Sequence, residues 1–104
     1  MQVSAWRMDK NGGPEVMYWG PVELPAPGAG DVLVRHTAIG LNMADTYRRR
    51  GIYPGPLPGG LGSEAVGIVE AVGDGVSDLK PGDRVGYAGG APDAYSEARL
   101  FPAG

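Results

Sequence analysis

The side chains of this 104-residue chain that could do chemistry crowd into one stretch, from His36 to Glu64. Asn42 and Asp45 stand three apart, the spacing at which an N-cap residue and an acidic third residue serve the first turn of a helix. Arg48, Arg49 and Arg50 follow at what would be the negative end of that helix. Gly51 then stands where a helix stops in the left-handed conformation. Tyr47 lies on the helix and Tyr53 just beyond it. Tyr53 precedes Pro54, which holds its backbone extended and able to present the ring to a cleft, with a simple loop anchor as an equal reading. The arginine run could grip a phosphate, but a solvated helix end that complements the dipole is the stronger reading. Met43, Ala44 and Tyr47 read first as a core-facing stripe, and a buried Tyr47 hydroxyl would need a partner.

Other chemistries fail on composition and spacing. Cysteine is absent, so there is neither a disulfide framework nor a thiolate metal site. His36 is the one histidine, inside an alternating segment, and reads as a packed or partly exposed strand residue rather than a ligand or base. A zinc site of Asp and Glu alone would be atypical. Ser63 is no nucleophile elbow, because Leu61 stands where the first glycine is required. Residues 60–65, GLGSEA, formally match G-x-G-x-x-A, but a dinucleotide fingerprint needs a strand before it and a helix after it. Here a proline-glycine loop precedes and EAVGIVEAV follows, so the glycines let a strand enter the fold tightly, and the chain holds no Rossmann unit. Nine Lys and Arg against twelve Asp and Glu give a net charge of -3, which argues against a nucleic-acid surface. No apolar run reaches the roughly 18–20 residues of a membrane span, and MQVSAWRMDK lacks a signal-peptide pattern. A soluble, cytoplasmic protein with no membrane partner is the expectation.

These residues need a scaffold, and its signal is valine runs separated by 19 glycines and 10 prolines. Strands are expected at residues 2–8, 16–19, 31–38, 64–72, 84–88 and 94–100. EAVGIVEAV, the densest in apolar residues, belongs in the middle of a sheet. NGGP at 11–14 and KPGD at 80–83 are turns, the latter with proline before glycine as a type II turn prefers. Residues 21–30 hold three prolines and form a connector or an edge. The helix runs from Met43 to Arg50. Residues 51–62, GIYPGPLPGGLG, make a loop of a length that is often functional in a compact domain. Six or seven short strands and one short helix give a mainly β barrel or sandwich of one domain.

The segments NGGPEV (11–16), GLNMADTYRRRGIYP (40–54), GLGSEAVGIVEAVGDGV (60–76), KPGDRVGY (80–87) and AYSE (94–97) occur in an order that resembles the N-terminal GroES-like domain of medium-chain dehydrogenases/reductases. The chain is most similar to the zinc-independent NADPH:quinone oxidoreductase branch, the zeta-crystallin-like proteins. The resemblance covers nearly the whole chain. It implies a GroES-like, partly open β-barrel with short helices, truncated relative to the family domain. Residues 1–104 would be the substrate-side catalytic domain, incomplete, with the Rossmann cofactor domain absent. Asn42 stands where the zinc enzymes carry a cysteine, and Ser63 where they carry a histidine, so no catalytic zinc is implied. By the same resemblance Asn42, Asp45 and Tyr47 lie beside the nicotinamide of NADPH. Tyr47 and Tyr53 are the catalytic pair, flanking nicotinamide and a quinone or related electrophilic carbonyl. The full-length protein is implied to be a homo-oligomer, and the fragment alone to be inactive, with an open sheet edge and exposed apolar surface. Two alternatives remain: a reductase of α,β-unsaturated carbonyls or enoyl thioesters, and a non-enzymatic GroES-like interaction or structural module.

Overall fold

A computed structural model describes residues 1–103. Seven strands form two antiparallel sheets. β1 (Gln2–Met8), β2 (Met17–Glu23) and β4 (Gly59–Gly60) make one, in the order β2-β1-β4. β3 (Asp31–Ile39), β5 (Glu64–Val72), β6 (Arg84–Ala88) and β7 (Ala98–Pro102) make the other, in the order β6-β5-β3-β7. Each sheet keeps free edges, so the architecture is the open, mainly β arrangement expected, and β5 lies centrally as its apolar density implies.

β3 feeds both faces of the larger sheet. Leu33 joins Val3 and Ala98 in one buried cluster, while Val32 and Val34 join Val69 in another. Burial of these aliphatic side chains is the main force holding the sheets. The expected alternation of β3 holds as far as His36. The register shift between Leu33 and Val34 puts its extra residue, Glu70, on β5, whereas the shift between His36 and Ala38 puts its extra residue, Thr37, on β3, and beyond it Ala38 and Ile39 face outward.

β4 lies inside residues 51–62, expected as a loop, β3 runs one residue further than expected to Ile39, and two other strands differ more. β2 begins at Met17 and runs through Pro21 to Glu23, paired with β1 along its whole length. Pro21 sits there because β2 is an edge strand, so its missing N–H removes no bond to an outer neighbour. β7 is Ala98–Pro102 rather than 94–100. Residues 94–97 instead tie the two sheets together. Trp6 N donates to Tyr95 O (2.8 Å), Glu97 N to Ser4 O (3.0 Å) and His36 N to Glu97 O (2.9 Å). This crossing segment passes directly under the candidate site.

Candidate functional site

Helix α1 (Met43–Arg50) forms where the sequence places it. Asp45 closes its N-terminus, with Oδ2 accepting the Asn42 N–H at 3.0 Å, the acidic half of a capping box. Gly51 closes the other end at φ 87°, a conformation that glycine adopts without a Cβ clash. The NGG turn completes the stop. Asn11 Nδ2 donates to Arg48 O (3.1 Å), Gly12 N to Arg49 O (2.8 Å), and Arg49 Nε back to Gly12 O (3.1 Å).

The chain then folds back over the helix end. Ile52 N and Tyr53 N both donate to Tyr47 O, at 2.9 and 3.3 Å. That turn sets the Tyr53 ring edge-on to the Tyr47 ring, with centroids 5.5 Å apart and planes at 83°. Edge-to-face packing suits the ring quadrupoles. Tyr53 is 52 % exposed and Tyr47 half-buried, and neither hydroxyl is hydrogen-bonded to another described residue. The two phenols therefore meet at the surface with their donors free.

The helix buries a different face from the one expected. Met43 is 68 % exposed and Ala44 also faces outward, so these residues are not a core stripe. The buried positions are Asp45 and Arg48, three apart. Asp45 goes in because its carboxylate is satisfied there: besides the Asn42 N–H, Oδ2 accepts the Tyr95 hydroxyl at 2.6 Å. Burial, reinforced by that carboxylate, pushes the Tyr95 phenol well above the ordinary tyrosine range. Arg48 corrects the picture of a solvated arginine run. It lies beneath the 51–59 loop, and Nη2 donates to Pro56 O at 2.8 Å. Its Nε and Nη1 are buried without a partner among the described residues. The loop reaches across it because Gly59 has no side chain: a Cβ there would lie 2.6 Å from Arg48 Nη2.

His36 is half-buried beside this region. Its Nδ1 faces the Ser96 carbonyl at 2.8 Å, and a carbonyl only accepts, so Nδ1 carries the proton. Nε2 then accepts from the Tyr87 hydroxyl at 2.7 Å. Burial lowers the His36 pKa, and the Arg99 charge works in the same direction against the Ser96 bond. Both ring nitrogens are occupied, as suits a packed strand histidine.

The structure thus brings Asn42, Asp45, Tyr47 and Tyr53 onto one helix and its exit turn. Tyr95 and Arg48, which support them from below, were not legible in the sequence as supports. The AYSE segment was visible only as part of a family pattern, and an arginine beside two others reads as solvent-facing. Among the described residues no group of three His, Cys, Asp or Glu side chains gathers that could hold a metal ion. Glu64 is exposed, with its backbone carbonyl bonded to Gly40 N (3.0 Å).

Fold and site together define an open antiparallel β domain that carries a capped helix and a pair of unbonded phenols at its surface. The alcohol dehydrogenase GroES-like domain family matches residues 28–99, and the chain belongs to that family. It is 56 % identical over 91 residues to the quinone oxidoreductase of Pseudomonas aeruginosa, covering 86 % of this chain and 28 % of that protein. It is 45 % identical over 106 residues to the 2-haloacrylate reductase of a Burkholderia species, covering 97 % of this chain and 32 % of the other. The Escherichia coli quinone oxidoreductase in complex with NADPH superposes with a TM-score of 0.92 at 46 % identity, over 96 % of this chain and 31 % of that one. The chain spans about a third of the length of the relatives it matches. Among the described residues no helix is long and apolar enough to cross a membrane.

Proposed function

We propose that this domain is the substrate-side half of an NADPH-dependent quinone reductase that works without catalytic zinc. The observation that supports the reading most is the Tyr47–Tyr53 pair, two phenols in contact whose hydroxyls bond to no other described residue. The match to quinone oxidoreductases over most of the chain points the same way. NADPH, when bound, supplies the hydride. Asn42, Asp45 and Tyr47 would hold its nicotinamide end, with Asp45 acting through the helix N-terminus because its carboxylate is already engaged. Tyr47 and Tyr53 fit the task of orienting a flat, electrophilic carbonyl compound: their faces offer apolar contact and their hydroxyls donate to its oxygen. That bond strengthens as negative charge develops on the oxygen, so it lowers the barrier more than it tightens ground-state binding. No covalent intermediate on the protein is required.

The groups that hold the rest of the coenzyme belong to a second domain in this reading, and the 104 residues alone turn nothing over. A cytoplasmic, homo-oligomeric full-length protein is part of the same proposal. A second reading, reduction of an activated carbon–carbon double bond, draws on the likeness to the 2-haloacrylate reductase.

The test joins residues 1–104 to the remaining two thirds of the P. aeruginosa quinone oxidoreductase, in place of the segment they match. Consumption of NADPH is then followed with 1,4-benzoquinone and with 2-chloroacrylate. Quinone-dependent oxidation by the joined protein, and none by the isolated chain, is expected. A folded, NADPH-binding joined protein that ignores both acceptors overturns the proposal, and preference for chloroacrylate selects the second reading.

A further inference from the structure

We propose that Tyr95, fifty residues on from Asp45, is a positioning residue for the candidate site: its hydroxyl holds the Asp45 carboxylate, and that carboxylate holds Asn42 and the first turn of α1. The geometry forms a short chain. Tyr95 Oη donates to Asp45 Oδ2 at 2.6 Å, and the same oxygen accepts the Asn42 N–H at 3.0 Å. Asp45 is only 6 % exposed, so water replaces a lost donor poorly there. A carboxylate with one donor removed in such a place is free to rotate, and the direction of its remaining bond is then no longer fixed.

Tyr95 itself is anchored on both sides of its backbone. Its N–H donates to Leu61 O at 2.8 Å, and its carbonyl accepts Trp6 N at 2.8 Å. The ring lies over Gly62, where a Cβ would come within 2.5 Å of Tyr95 Cδ1, and Gly62 has φ 98°. The second glycine of the GLGSEA segment therefore has a physical task, which is to admit this ring. Tyr95 transmits the rigidity of the two sheets to the residue at the mouth of the site. The site role rests on the functional reading above, whereas the Asn42 geometry does not.

Two arms separate those layers. In the isolated chain, Tyr95→Phe keeps the ring on Gly62 and removes only the bond. The expected result is a shifted Asn42 amide resonance and roughly tenfold faster exchange of that amide. Asp45→Asn combined with Tyr95→Phe is expected to exceed Asp45→Asn alone by less than about twofold, because the two act in one chain. A measurement on the unsubstituted chain guards against a variant that fails to fold. The Tyr95 Cζ carbon should keep its neutral chemical shift at a pH where an ordinary tyrosine, near 10, has ionised. In the joined protein, Tyr95→Phe is expected to raise the KM for NADPH about three- to tenfold while kcat stays within about twofold. An unmoved Asn42 amide overturns the proposal, and so does a moved amide with unchanged KM, which would leave Tyr95 a purely structural residue. If the joined protein carrying Tyr95 shows no reductase activity, the functional reading fails, and the amide arm decides the geometric claim by itself.

Discussion

Arg48 offers the sharpest test of how the site is supported. Its guanidinium is buried to 7 % exposure, makes one side-chain hydrogen bond, to Pro56 O, and leaves Nε and Nη1 unfilled. None of the described carboxylates lies within ion-pair distance of it. One bond from a charged donor returns about 1.5–3 kcal/mol. The two unfilled buried nitrogens cost about 1–3 kcal/mol each, and taking the charge out of water costs several more. The balance is unfavourable, so Arg48→Met, which fills the space of the stem with an unbranched apolar chain, is expected to stabilise the domain by about 1–2 kcal/mol. For a domain of this size each kcal/mol raises Tm by about 4–8 °C. Arg48→Lys retains the charge but not the planar fork that reaches Pro56, and is expected to lower Tm. The opposite signs distinguish the charge from the packing of the stem. Thermal melts of the three proteins by circular dichroism, with the Tyr47–Tyr53 ring contacts followed by NMR, make the assay. The methionine variant should melt higher while those contacts weaken, because the loop loses its anchor. A methionine variant that melts as low as the lysine variant refutes the reasoning, since the guanidinium would then be a net source of stability.

Three other outcomes follow from the same geometry. Gly62→Ala places a Cβ at positive φ and against Tyr95, so a loss of about 2–4 kcal/mol is expected in urea unfolding, from left-handed strain and overpacking together. His36 has a folded pKa below its unfolded value near 6.5, so the unfolded chain takes up its proton first. Its contribution to stability is fully present above about pH 6.5 and falls as the pH drops from there toward the folded pKa; urea midpoints measured from pH 8 to 5 should show this slope, and His36→Gln should flatten it. In the joined protein, Tyr47→Phe and Tyr53→Phe should each lower kcat/KM for the quinone by about ten- to a hundredfold, the value of one hydrogen bond to developing charge, with steady-state kinetics as the check.

What the sequence could show and what it could not divide along the range of the interactions involved. The limits of α1 are written in adjacent residues: an asparagine, an aspartate three on, and a glycine at the stop all act within one turn, and the structure places the helix at the expected residues. The central position of β5 follows from its apolar density, which needs no knowledge of its neighbours. The face of α1 that is buried did not follow, because side-chain polarity is a rule about averages. Asp45 and Arg48 defy it for reasons fifty and eight residues away, in Tyr95 and Pro56. The same holds for residues 94–97. The sequence places them in a strand at 94–100, but their bonds go to β1 on one side and β3 on the other, so they link two sheets instead of extending one. The pairing of Tyr47 with Tyr53 lies between these cases. The spacing allowed it, Pro54 favoured it, and the bonds of Ile52 and Tyr53 to one carbonyl complete it. A surface pair made by such a local turn can be re-aimed by a few loop substitutions without disturbing either sheet. On that argument, changes in acceptor preference among proteins built on this domain should map to the 51–59 loop, while Asp45, Gly62 and Tyr95 hold the frame against which the loop moves.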